Sequence, residues 1–186
     1  MWPLWNSKAA RRENVVRFAF DAATLAFGAL LADDRLVRAM RNDAYVLGYV
    51  LARLRGLTNA AAADARLGNE SAALNERVLC AFFGEAAAAL SAAAAVQPSE
   101  RARHLAGASD GFAQCDYLFG ARDVREHPYY PEALLRERAA AAAMPGNRFN
   151  GTSAAIAHHL EHFTFMRYVE HHHPPVVPAR ACSSAA

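Results

Sequence analysis

The sequence predicts an all-α fold, a single-domain irregular bundle of about six to eight helices, and three observations carry that expectation. Alanine is abundant, β-branched residues are sparse, and the strict apolar/polar alternation of half-buried strands is almost missing. With 186 residues, 54% of them hydrophobic and 20% charged, the chain suits one domain with a sizeable core. That domain is expected to cover residues 1–173, and after Pro174-Pro175 the small and polar residues of 174–186 read as a disordered tail.

Ser7 is an acceptable N-cap for a first helix, in which Val15, Phe18, Ala22, Leu25 and Ala29 recur at helical spacing. Gly28 does not by itself end it, since an isolated glycine costs only about 1 kcal/mol. Asp33 and Asp34 suit the positive end of a short second helix. Asn42 or Asp43 then caps a third, through Tyr45, Val46, Tyr49, Val50 and Leu54, with Gly56 as its stop. A short Ala-rich helix capped by Thr58 is expected to reach about Leu67, where Gly68-Asn69 breaks it. A longer helix runs from about Glu70 to Ala93 and carries Leu74, Val78, Leu79, Phe82, Phe83 and Leu90.

Gln97-Pro98-Ser99-Glu100 is the clearest linker, because proline disrupts a preceding helix and is tolerated in the first turn of the next. The following segment contains Gly107 and Gly111 and reads as one helix or two. Residues 120–131 read as an irregular connection, with His127-Pro128 and Tyr130-Pro131 pushed out of the helical region. A helix from about Pro131 to Ala143, a loop over 145–151 and a final helix capped by Thr152 or Ser153 complete the chain. The poly-Ala tracts have no fixed period, so they define no solenoid; their small residues let helices approach closely.

A net charge of +2 is too small to name a nucleic-acid or acidic-membrane partner. Leu67-Gly68-Asn69-Glu70 imitates the turn of a helix-turn-helix, but Asp64 stands where a small residue is needed. Glu70 and Glu76 would also face phosphate against Arg77 alone, so no nucleic acid is expected. Arg11, Arg12, Arg17, Arg35, Arg38, Arg41, Arg53 and Arg55 are expected on solvated helix faces. Cys80, Cys115 and Cys182 are odd in number and far apart, which fits neither a disulfide framework nor a paired-cysteine zinc motif and points to a cytoplasmic setting. Cys80, in the apolar run to Phe82, is expected to be a buried packing residue. Val15 to Ala32 is apolar but interrupted by Arg17 and Asp21, so it reads as a core helix and no transmembrane segment is expected. Trp2, Leu4 and Trp5 are expected to pack on the domain rather than at a membrane interface.

The chemistry-bearing stretch is the last helix, Thr152 to His173, which holds six of the eight histidines. His158, Glu161 and His162, at i, i+3 and i+4, fall within roughly a quarter-turn arc of one face. Two imidazoles one turn apart provide two zinc ligands, and Glu161 is placed to ligate, to orient an imidazole, or to act as a base on metal-bound water. His158-His159-Leu160-Glu161-His162 resembles the H-x-x-E-H pattern of inverted-zincin peptidases. That resemblance covers five residues. The family takes a further glutamate well downstream in a large mixed α/β domain, whereas about two dozen residues follow His162 here. A di-iron bundle needs two Glu-x-x-His pairs, and only Glu170 with His173 has that spacing. On a helical wheel Ile156, Leu160 and Phe163 form one apolar face while Phe165 and Val169 lie near His158, so the helix is expected to be buried on two sides.

With many helix-packing residues and no convincing catalytic set, the sequence favours a non-catalytic binding or assembly module acting through a protein partner or self-association. The alternative is a metalloprotein, a zinc-dependent hydrolase in its sharpest form, with a third ligand from His104, Asp110, Asp116, Glu126 or His127. A small-molecule pocket near Tyr45, Tyr49 and Phe112 is a third reading, and Tyr117, Tyr129 and Tyr130 with Arg122 and Arg125 could line a polar pocket. Cys115-Asp116 with His104 or His127 would make a thiol–imidazole pair only if the fold joined them.

Overall fold

A computed structural model describes residues 7–32, 34–93, 97–147 and 150–175. Among these, eight helices and no strand are found: α1 Lys8–Leu31, α2 Arg35–Asn42, α3 Ala44–Asp64, α4 Ser71–Phe83, α5 Ala86–Ala93, α6 Arg101–Leu118, α7 Tyr130–Ala143, and a last helix, α8. Helix α8 is three contiguous segments, Ser153–Glu161, a π turn His162–Met166, and Arg167–His172. Short 3₁₀ turns at Gly68–Glu70, Pro98–Glu100 and Val124–Glu126 connect the rest. The segment containing Trp2, Leu4 and Trp5 lies outside the described residues, as do Asp33, Cys182 and the tail from 176.

Local chemistry sets several of these ends. The Ala10 N–H donates to Ser7 Oγ, the Tyr45 N–H to an Asp43 carboxylate oxygen, and the Ala155 N–H to Thr152 Oγ1, each satisfying an orphan donor of a first turn. Asp34 behaves differently: it takes a left-handed conformation at φ 56° and makes no side-chain cap bond. The expected long helix from Glu70 to Ala93 is two, because Gly84 at φ +55° turns the chain between α4 and α5.

Helix α3 is the centre. Val46, Leu47, Tyr49, Val50, Leu54 and Leu57 are buried, and the helix packs on α1, α2, α4 and above all α6. Glycines make that last contact possible. A Cβ on Gly107 would run into the Tyr45 carbonyl oxygen, on Gly111 into that of Tyr49, and on Gly48 into that of His104. Helix α6 is therefore one helix through both of its glycines. Gly56 likewise does not stop α3, which continues to Asp64 and absorbs the Ala-rich stretch, since Gly56 lies against Cys115 in the same interface. The energy of close packing outweighs the helix-propensity cost of glycine.

Helix α1 closes the other side of α3 with Val15, Ala19, Ala23, Ala26, Phe27 and Leu30. It is the one helix among the described residues long and apolar enough to cross a membrane by length and composition. Here its Phe27 ring meets Tyr49, Phe82 and Phe165 edge-on at centroid distances of 6.5, 6.3 and 5.6 Å. A second cluster, Val124, Ala133, Ile156, Ala157 and Leu160, joins α7 to the first half of α8.

Replacing Gly107 by alanine is expected to lower stability by about 1–3 kcal/mol despite alanine's better propensity, because the new methyl meets backbone that has nowhere to go. Gly28, whose added Cβ would meet only Thr24 Cγ2 at 3.7 Å, is expected to gain about 0.5–1 kcal/mol on the same change. Urea denaturation of the two variants beside the parent checks both signs.

Candidate functional site

The sequence-predicted site begins one turn into α8. The helix buries Ile156, Ala157, Leu160 and Glu161 before the π turn, and Phe165, Met166 and Val169 in or after it. Leu160 and Phe165 are five apart, which on a regular α-helix would set them about 140° from one another. In the π turn the Arg167 N–H reaches back to the His162 carbonyl, five residues earlier, and this wider turn keeps both side chains inside. Phe165 then stacks on Tyr49 at a centroid distance of 3.9 Å.

Glu161 is 1% exposed and lies opposite Arg53, which is 2% exposed. Arg53 Nε donates to Glu161 Oε1 at 3.0 Å and Nη2 to Oε2 at 3.2 Å, a bidentate fork, while the Tyr49 hydroxyl donates to Oε1 at 2.9 Å. Arg53 Nη1 reaches Cys115 Sγ at 3.2 Å. Burial by itself lowers the Arg53 pKa, and the neighbouring Glu161, Cys115 and Tyr49 more than reverse that, so it stays raised. Burial and then Glu161 push the Tyr49 phenol well up, and burial raises the Cys115 thiol against the pull of Arg53. Tyr49 is thus a neutral donor and Cys115 a thiol rather than a nucleophilic thiolate. Cys115 has Arg53 as its partner and no imidazole.

His158, Glu161 and His162 do line one cavity, of about 170 Å³, with Leu25, Ala26 and Ala29 of α1 and Met166. Burial lowers the pKa of both imidazoles, with Glu161 opposing it at His158 and Arg136 adding to it at His162. The residues proposed as a third ligand lie elsewhere. Asp110 accepts from the Tyr45 hydroxyl at 2.9 Å, Asp116 pairs with Arg122 at 3.5 Å, and His127 borders a different cavity. His104 packs its carbonyl toward Gly48, and Glu126 is exposed. Among the described residues no group of three or more His, Cys, Asp or Glu side chains is placed to hold a metal ion. The donor set therefore does not fit zinc: two imidazoles face the cavity, and the carboxylate between them accepts three hydrogen bonds from Arg53 and Tyr49. Among the described residues no third ligand reaches them.

Two further buried polar links fix α8. Glu137 of α7, 4% exposed, accepts from the Gly151 N–H at 2.7 Å and meets His159 Nε2 at 3.1 Å. Gln114 of α6 donates to the Ala157 carbonyl. At the far end, Asp43 receives the Tyr168 hydroxyl at 2.9 Å, Arg103 at 2.9 Å and the His173 ring at 3.2 Å. Burial drives the Asp43 pKa up, and His173, Tyr168, the Tyr45 N–H and Arg103 together outweigh it and hold it low.

Arg53, Gln114 and Glu137 were not legible as site residues, and the expectation that Arg53 faces solvent is corrected. Its signal was present: Arg53 falls in the stripe of Val46, Val50 and Leu57, four residues from Tyr49, where a solvated side chain has no place. Cys80, expected to be buried, is exposed, because α4 turns it away from the Leu74, Val78 and Phe82 face. No protein-family model matches this chain, and no match was found among curated proteins or solved structures.

Arg53→Met is expected to cost about 3–5 kcal/mol by leaving Glu161 charged and unpaired in the interior. The double variant with Glu161→Leu is expected to lose less than Arg53→Met alone, since no lone charge remains. Urea midpoints give the comparison, and a double variant weaker than both singles would contradict it. Metal analysis of untagged protein is expected to find no stoichiometric zinc, and no change in His158→Ala or His162→Ala. One equivalent of zinc, lost in both variants, would reinstate the metal centre.

Proposed function

We propose that the protein is a non-catalytic helical assembly module that associates with a second copy of itself through a groove between α1 and α3. What supports this reading is the groove itself, a concavity of about 540 Å³ lined by Arg11, Val15, Phe18, Ala61, Asp64 and Phe119, among others. Its floor is small and apolar. Phe18 and Phe119 stand at its edge, each 44% exposed, with ring centroids 6.4 Å apart.

The groove is also electrostatically self-complementary. Arg11 donates through Nη1 to the Ala65 carbonyl at 3.2 Å, but its Nε is buried without a partner. Asp64 lies exposed along the same groove. In a two-fold contact each residue meets its counterpart's complement, so the Arg11 of one copy faces the Asp64 of the other while the phenyl rings enter the opposing concavities. The catalytic alternative has less to draw on, because Glu161, its base, is engaged by Arg53 and Tyr49.

Light scattering coupled to size exclusion, over a rising concentration series, is expected to show dimer formation. Phe18→Asp, on an exposed position, is expected to abolish it while leaving the melting temperature of the monomer within a few degrees. Asp64→Arg is expected to weaken it, and adding Arg11→Asp to restore it. A monomer at every concentration removes the reading of self-association.

A further inference from the structure

A third cavity lies where α3, α6, the α6–α7 connection and the π turn meet. It has a volume of about 270 Å³, and Tyr45, Tyr49, Asp110, Gln114, Tyr117 and His127 contribute to its lining. We propose that this cavity binds a small organic amine, held by its ammonium group against Asp110 and by its apolar body between tyrosine rings.

Three features argue for that ligand class. The first is aromatic density. Tyr45 and Tyr49 lie 6.4 Å apart at an interplanar angle of 32°, and Tyr117 meets the His127 ring edge-on at 5.3 Å. Ring faces carry negative potential and attract cations, more strongly the drier the contact.

The second is the charge balance. Arg122, which also borders the cavity, pairs with Asp116 at 3.5 Å and has its guanidinium 6.0 Å from the Tyr117 ring, so Asp116 largely answers its charge. Behind Tyr49 the Arg53–Glu161 pair is neutral as a unit. Burial lowers the His127 pKa and so favours the neutral imidazole near pH 7. The remaining formal charge on the lining is the carboxylate of Asp110.

The third is pre-organisation. The Tyr45 hydroxyl donates to Asp110 Oδ2 at 2.9 Å, and Gln114, 5% exposed, is anchored by its donation to the Ala157 carbonyl. Tyr45 in turn stands against Tyr168 at 4.5 Å, and Tyr49 against Phe165. The aromatic walls are therefore fixed before any ligand enters, which reduces the ordering cost of binding. The carboxylate acceptor on the lining suits an amine that carries N–H donors rather than a fully methylated nitrogen.

The site is separate from the α1–α3 groove, and its test does not depend on self-association. Phenethylamine is the probe, with phenylacetate as its anionic counterpart and N,N,N-trimethylphenethylammonium as the donor-free cation. Protein-observed NMR titration at low salt is expected to show saturable binding of phenethylamine, with shifts centred on Tyr45, Tyr117 and His127, and at least tenfold weaker binding of the other two. Asp110→Asn, at an exposed position, is expected to weaken phenethylamine at least tenfold. Glu85→Gln, an equally exposed carboxylate at the α4–α5 turn, is expected to leave it unchanged. Preferential binding of phenylacetate, equal binding of the trimethyl compound, an Asp110→Asn protein that binds as the parent does, or no saturable shift with phenethylamine overturns the proposal.

Discussion

Two opposite charges taken out of water, Arg53 on α3 and Glu161 on α8, set how α8 seats against α3. Each would cost several kcal/mol to bury alone, so the arrangement is tolerated only where the fork of one is fully met by the other. That requirement fixes the rotation and height of α8 against α3 more tightly than apolar packing does, since a helix displaced by one residue would still bury hydrocarbon but would strand a charge. Tyr49 joins the pair from one turn away on α3, and Cys115 of α6 joins it because α3 and α6 approach through glycines. The glycine contacts and the ion pair are thus one construction, with small residues bringing backbones together and charged ones setting the register.

This construction has a consequence for chemistry. Three buried carboxylates hold helices together: Glu161 with Arg53, Glu137 with His159 and the Gly151 N–H, Asp43 with Tyr168, Arg103 and His173. Two concave surfaces lie apart from these pairs. The α1–α3 groove is an apolar concavity bordered by Arg11 and Asp64, and the tyrosine-lined cavity combines ring faces with Asp110 and Arg122.

The all-helical class was legible because it depends on composition and on periodicity, which are local. So were the caps: Ser7, Asp43 and Thr152 each act through a bond to a residue two or three positions away. Glycine shows where local reading stops. Gly56 and Gly84 look alike in the sequence, yet α3 runs through the first and the chain turns at the second, because Gly56 has Cys115 beside it and Gly84 has open space. The arc of His158, Glu161 and His162 was legible as well, since helical spacing alone puts them on one cavity. The partner of Glu161 was not, because it lies more than a hundred positions earlier. Only the fold brings Arg53 across, although its place in an apolar stripe was a visible clue.

The π turn of α8 carries one more implication. A regular helix drifts steadily around its axis, so no single phase could bury Leu160 and Phe165 together and also deliver Tyr168 to Asp43. By admitting an extra residue into one turn, the chain resets its angular phase midway, and the two halves of α8 answer to different anchors: Arg53 and Glu137 before the turn, Asp43 after it. The segment works as a gearing between two independently seated half-helices. Its length is therefore fixed to the residue, in a molecule whose alanine-rich stretches elsewhere carry no such demand.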